Sequence, residues 1–571
     1  MSCPNPQEFW MPLDPSPETS VNWRYKELDP ITAIERQYLG VMNAILDKPQ
    51  WWAKLKDPEI QQKWRQESGL GEAAFALLLQ ELACYARDFI QSKEWPNVSP
   101  IPAHGVYISD LSISPELRQR LLEHAAPLEQ EALVEGRWHP GSKGIVLDLV
   151  HPSPHCLTFG KSRFSRNPQA LTGTETIHWQ GTPDTRRDIS AKYQWLPAEF
   201  EIDADGHVSI ASYINNLHPE LHKALYGDIE RIFEAMLPMF ELTVDSLNSS
   251  PRNRIDVDYG KLFDHDLYDW QSLMWKEHRQ QLRKAQAVEA ARVGDDGQPT
   301  TGDRHHDDDE DSDDDDDDDD EKWNWMDALE DTRELHVPQL PEKFEPDVPS
   351  PARFRARSVQ AIVKLATIHL TPENPRYDGG SWHMEGMENE AIAATGIYYY
   401  DMENITDSVL RFRHAFDSMA FEYSQNDHRG ILEVFDVEND TEALMEQGQL
   451  TALPGRCATF PNFLHHQVQP FELADKTKPG FRKVLCFFLI HPRNHIISTR
   501  QVPPQQRSWL RHALYRLLRP RLPELCIDRI QYYLDCDMSM QDAYAHSEKV
   551  MDERKAANRD RDYEYVSLCE H

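Results

Sequence analysis

Gly380-Ser381-Trp382-His383-Met384-Glu385 sets an imidazole and a carboxylate two residues apart. On an extended strand, side chains at i and i+2 point to one face, so His383 and Glu385 are expected side by side. Two ligands leave a metal ion needing a third from elsewhere. The segment Phe460-Pro461-Asn462-Phe463-Leu464-His465-His466-Gln467-Val468-Gln469-Pro470-Phe471 offers one, with His466 lying 83 residues after His383. Two histidines and one carboxylate with open positions suit non-haem Fe(II) chemistry, and the same set suits hydrolytic zinc. Strand alternation lets only one of His465 and His466 point inward. Arg482 starts a further strand sixteen residues after His466. As hairpin partner of the His466 strand, joined by the polar stretch Glu472 to Gly480, it would bring a guanidinium near the metal. Such a group grips a carboxylate in bidentate fashion. Lys483 would face the other side.

These residues need a framework. Strand-like runs are expected at Ser358 to Ile368, Ala391 to Tyr400, Gln449 to Phe460, His466 to Phe471 and Arg482 to His491. Their spacing predicts an antiparallel barrel or sandwich. Shorter runs occur earlier, at Gly144 to Leu149, Cys156 to Phe159 and Phe200 to Ile202, the last followed by the hairpin turn Asp203–Gly206. Helical periodicity marks Ile31 to Leu46, Glu72 to Gln91, Leu221 to Phe240, Trp270 to Val293 and the segment after residue 500. The expected organisation is an N-terminal helical module at 1–75, a helical and mixed region at 76–293 contributing to the core, an acidic insert at 294–322, a β core with the metal site at 323–500, and C-terminal helices at 501–571.

The chain has 571 residues, 60 basic and 96 acidic, for a net charge of −36. Asp307 to Glu321 is acidic at every position but Ser312. Self-repulsion without apolar periodicity predicts disorder for that insert. Docking a basic protein partner is its functional alternative. The acidity of the remainder argues against nucleic acid and anionic membranes as partners. No apolar run approaches the ~20 residues of a spanning helix, and the first residues lack a signal-peptide pattern. Eight scattered cysteines, none in a CxxC pair, fit reduced thiols. A cytoplasmic or nuclear location is therefore expected.

The ordered set of His383, Glu385, His466 and Arg482 resembles the 2-oxoglutarate/Fe(II)-dependent dioxygenases, whose pattern is HxD/E, a distant His, and a basic residue on the following strand. The phrase from Phe460 to Phe471 is similar to the FPS…HxVxPV phrase of their prolyl-hydroxylase-like branch, an alignment that selects His466 over His465. At a finer level the chain resembles a family known mainly from fungi as DUF4246. The matching phrases are Tyr193 to Pro197, Ser212 to Pro219, Trp382 to Met387, Ala394 to Tyr400 and Val502 to Gln506. The resemblance implies an α+β chain with a double-stranded β-helix (jelly-roll, cupin-like) core, an extensive helical shell and the small N-terminal module. It implies Fe(II) held by His383, Glu385 and His466 as the catalytic centre, and 2-oxoglutarate bound through Arg482. Two departures stand out: the acid is Glu rather than the commoner Asp, and the gap from His466 to Arg482 is longer than usual. The substrate is unread. A zinc-dependent hydrolase and a non-catalytic cupin-like interaction protein are the alternatives.

Overall fold

Apolar, β-branched and aromatic runs form the strands that frame the site. In chain order they are β1 (Ser99–Pro100), β2 (Tyr107–Ser109), β3 (Val146–Val150), β4 (Ala198–Ile202), β5 (Val208–Ile210), β6 (Arg357–Leu370), β7 (Ile392–Glu403), β8 (Val409–Ala415), β9 (Leu444–Thr451), β10 (Cys457–Pro461), β11 (His465–Val468) and β12 (Gly480–Ile490). This computed structural model describes residues 26–568, apart from 167–173, 180–187, 294–318, 347, 348, 350, 352, 535–537 and 560–563. The expected acidic insert lies outside the described residues up to 318, and a helix spans Asp319–Asp327. Among the described residues, helix accounts for 36% and strand for 21%.

A large antiparallel sheet runs β1-β2-β10-β7-β12-β6-β4-β5, with β3 also paired to β6. A small sheet runs β9-β8-β11. Register fixes which side chains share a face. Lys364 sits opposite Cys486, Ile368 opposite Arg482, and Ile362 opposite Phe488. On the neighbouring pair, Ile397 lies opposite Cys486 and Tyr399 opposite Val484. These residues form the sheet's inner face, which meets the small sheet: Tyr399, Ala458 and Phe460 pack with Leu410, Phe412 and Leu450.

The other face carries Val363, Leu365, Leu485, Phe487, Ala394 and Tyr398 and is covered by helices. Helix α1 (Ala33–Leu46) is capped by the Thr32 hydroxyl, which accepts the Glu35 N–H. Helix α2 (Pro115–Glu135) starts with Ser114 as cap and Pro115 in its first turn, and ends at Gly136 with φ 68°. Helix α3 (Lys223–Asp245) turns Ile229, Ile232, Phe233, Met236 and Phe240 inward at helical spacing. It lies so close to the sheet that a Cβ at Gly396 would stand 2.5 Å from Phe240 Cζ. Helix α4 (Met540–Arg559) packs Val550 against Trp195, Ile362 and Phe488. The N-terminal helices share a core with later segments: Tyr38, Met42 and Leu78 pack with Phe416, Phe435 and Met445. Asp47, at the end of α1, pairs with the buried Arg456, which also holds Asp110 at 2.6 Å.

Three expectations are corrected. Gln449 to Phe460 is two strands in two sheets, because Pro454 and Gly455 (φ 95°) turn the chain between β9 and β10. The His-x-Glu segment is no regular strand; only His383 makes a bridge. Gly379 and Gly386, with φ of 91° and 65°, bend the backbone on either side. Finally, β12 is not the hairpin partner of β11. It lies between β6 and β7 in the large sheet, while β11 pairs with β8. The residues from 472 to 480 carry the chain from one sheet to the other.

Candidate metal centre

The structure brings His383, Glu385 and His466 together. The backbones of His383 and His466 exchange two hydrogen bonds, N–H to O at 3.2 and 3.0 Å, so their rings stand side by side with centroids 4.3 Å apart. His383 Nε2 lies 3.7 Å and His466 Nε2 3.5 Å from the same oxygen, Glu385 Oε1. His383 Nδ1 is 2.8 Å from the Ser381 carbonyl. That contact places the ring proton on Nδ1 and leaves the Nε2 lone pair facing Glu385, the usual outer-shell arrangement for a ligating histidine. Phe460 stacks beside His466 at 4.8 Å. Side-chain exposure falls from 32% at His383 to 17% at Glu385 and 4% at His466. The cluster is therefore most open at His383 and closed at His466.

Burial pushes the Glu385 carboxyl up, but contacts with His383 and His466 outweigh it and hold the group well below the usual carboxylate range. Burial also works against charge on His383, and the adjacent Glu385 carboxylate overcomes it, raising that ring's pKa. On His466, burial and the charge of His383 prevail and lower it. A carboxylate held ionised between two imidazoles is ready to take a divalent cation without a protonation penalty at neutral pH. The donor set fits Fe(II), and fits Zn(II) as well.

Arg482 lies on the same inner face and is 6% exposed. Its Nη1 donates to Ser408 Oγ at 2.6 Å, while the buried Nε has no hydrogen-bond partner among the described residues. The guanidinium carbon sits 5.1 Å from the Phe471 ring centroid and 5.7 Å from that of Tyr399. Among the described residues it makes no ion pair. A buried, unpaired guanidinium is costly unless an anion joins it. His465 lies opposite Arg413 in register, whereas His466 lies opposite Phe412. It is buried rather than at the rim.

Two features escaped the sequence reading. Asn462 grips the Glu385 backbone, and the F-P-N phrase was the available signal. A second donor group, His139, Asp148 and His151, comes together around β3. There His139 Nδ1 lies 2.8 Å from Asp148 Oδ2. His151 Nδ1 accepts the Ser153 N–H at 3.2 Å, and burial drives this ring's pKa down to about 3. With its proton on Nε2, that nitrogen could ligate only after a tautomer switch that gives up the Ser153 contact. The polar cluster before α3 is spent on structure: Asn216 Nδ2 donates to the carbonyls of His151 and Pro154, and Tyr213 donates to Val502 O.

A family model described as "Protein of unknown function (DUF4246)" matches residues 72–513, and a companion model for the N-terminal domain matches 4–67. The chain belongs to the DUF4246 family. Among solved structures, this DUF4246 chain is similar to a selenomethionine-labelled Fe(II)/α-ketoglutarate-dependent dioxygenase, TqaL, at 9% identity and TM-score 0.25, covering 78% of this chain and 90% of that one. It is also similar to IDO from Bacillus thuringiensis, at 10% identity and TM-score 0.15, covering 23% and 45%. EvdO2 from Micromonospora carbonacea var. aurantiaca, complexed with 2-oxoglutarate, matches at 14% identity and TM-score 0.13, covering 23% and 52%. The chain thus spans about half the length of the last two. No curated protein matches the sequence. Among the described residues, no helix is long and apolar enough to cross a membrane.

Proposed function

We propose that this DUF4246 protein is a 2-oxoglutarate- and Fe(II)-dependent dioxygenase that hydroxylates or otherwise oxidises a small substrate, and that its two facing sheets are a double-stranded β-helix. The observation that carries the reading is the convergence of His383 Nε2 and His466 Nε2 on one Glu385 oxygen at 3.7 and 3.5 Å. Bound there, Fe(II) with 2-oxoglutarate would supply the oxidising power of dioxygen, with succinate and CO2 as co-products. His383, Glu385 and His466 would hold the ion, and three protein donors would leave coordination positions for the co-substrate. Ser381 orients His383, and Asn462 orients Glu385. Arg482, anchored by Ser408, is free to pair with the far carboxylate of the keto acid. Phe460 and the buried flank of His466 keep water from that side. The unpaired guanidinium supports this reading because it gives the keto acid's far carboxylate a partner.

Anaerobic reconstitution with Fe(II) followed by 2-oxoglutarate and air tests it. The expected result is stoichiometric iron and succinate release above a His383→Ala control. Tight zinc with no succinate under any condition would overturn it.

A further inference from the structure

Arg554 stands on α4 against Trp195 and Glu390, the latter five residues after Glu385, and is only partly used. Its guanidinium carbon lies 3.3 Å from the Trp195 ring centroid, and its Nη2 pairs with Glu390. The side chain is 11% exposed, yet Nε and Nη1 are buried with no hydrogen-bond partner among the described residues. Glu390 is fully buried and already accepts from the Trp195 N–H at 2.5 Å and the Met387 N–H at 2.8 Å. One ion pair would suffice to dock the helix. It does not account for two charged donors left dry, which are costly when unsatisfied. Glu385 lies near enough for its charge to act on Arg554.

A second cation shares the place. Lys364 is on the inner face of β6, opposite Cys486. It makes no ion pair among the described residues. Its charge acts on His383, Cys486 and His151, and that of Arg554 acts on His151 too. Cys486, opposite Lys364, and Trp195, under Arg554, pack in one cluster with Ile362 and Phe488, so with the keto acid's far carboxylate on Arg482 these two cations remain as surplus positive charge on that side of the inner face.

We propose that Arg554 and Lys364 form a receptor for a carboxylate on the substrate, so that the molecule oxidised is a small carboxylic acid. The proposal rests on the oxygenase reading for the word "oxidised", but the receptor itself does not. The C-terminal helix then serves as a wall of the substrate site, carrying a charge delivered by a segment 88 residues beyond His466.

Calorimetric titration of the full chain with acetate, hexanoate and benzoate, each against its neutral amide, tests the receptor with and without 2-oxoglutarate. At least one carboxylate is expected to outbind its amide tenfold or more. Arg554→Gln should remove that preference, and Lys364→Met should reduce it. Equal binding of acids and amides overturns the receptor, as does a preference left undiminished by either substitution. Should Arg554→Gln not fold, Lys364→Met alone decides. Failure of the oxygenase reading would be seen separately, as absence of succinate in the unaltered protein with the carboxylate preference intact.

Discussion

Asn462 and Glu385 hold each other by a pair of hydrogen bonds: the Glu385 N–H donates to Asn462 Oδ1 at 2.8 Å, and Asn462 Nδ2 donates to the Glu385 carbonyl at 2.9 Å. The same Nδ2 reaches the Ile392 carbonyl at 3.0 Å. Asn462 is fully buried and sits four residues before His466, so one side chain fixes the His466 strand against the irregular segment that carries His383 and Glu385. Asn462→Ala leaves those backbone groups unpaired. Each orphaned buried group costs about 1–3 kcal/mol. The expected outcome is a lowered melting temperature together with iron affinity weakened about 10- to 100-fold, the usual cost of losing an outer-shell partner. Paired thermal melts and iron titrations check it. A loss of stability with full iron affinity would deny Asn462 its positioning role.

The two adjacent histidines make a sharp internal contrast. His466 shares the cluster, whereas His465 lies opposite Arg413 on the other side of the strand. His466→Ala and His383→Ala should each reduce bound iron to background. His465→Ala should lower stability, since that ring is buried, but retain iron at the level of the unaltered chain. Metal analysis of the three purified variants distinguishes the assignments, and iron lost equally at His465 would refute the choice between neighbours.

Much of this centre was legible because ligand chemistry restricts residue types more tightly than fold does. His383, Glu385 and His466 announced themselves by type, spacing and phrase. The strands of the large sheet were legible too, since β6, β7 and β12 are long runs buried on both faces. The small sheet was harder. β8 reads Val-Leu-Arg-Phe-Arg-His-Ala, alternating apolar with basic, and its charges masked a strand whose inner residues are Leu410, Phe412 and His414. Strand partners were also out of reach. Arg482 looked like the other half of a hairpin with His466, because chain proximity is the default guide to pairing. The stretch from 472 to 480 crosses between sheets instead, and no local signal encodes that. Arg554 was illegible for the same reason: nothing near it in sequence belongs to the site.

Arg482 should matter to the co-substrate and not to the metal. Its guanidinium's only hydrogen bond among the described residues runs to Ser408, and removing the guanidinium takes away a charge-assisted partner worth about 1.5–3 kcal/mol. Arg482→Ala is therefore expected to raise the 2-oxoglutarate concentration needed for half-maximal succinate formation by about 10- to 100-fold. Iron stoichiometry should be unchanged. Partial recovery in Arg482→Lys, which restores charge without the fork, would support an ionic role. Loss of metal in Arg482→Ala would assign the residue to the framework.

Behind the sheet, Glu129 on α2 fixes the pH range over which the helical layer stays docked. Its carboxylate accepts from Lys483 Nζ at 2.6 Å and lies 3.3 Å from His369 Nε2. Burial would raise its pKa, but the close approach of His369, the hydrogen bond from Lys483 and the charge of Lys483 outweigh that and bring it from 4.5 down to about 2. The unfolded chain therefore binds this proton more readily than the folded one. The pairing contributes its full stability above pH 4.5, and that contribution fades as pH falls toward 2. Glu129→Gln should melt at a lower temperature than the unaltered chain at pH 7, and the gap between the two should narrow steadily from pH 4.5 to pH 2. Thermal melts across that range measure it directly. A gap that stays constant down to pH 2 would mean that the ionised form of Glu129 gains nothing from Lys483 and His369.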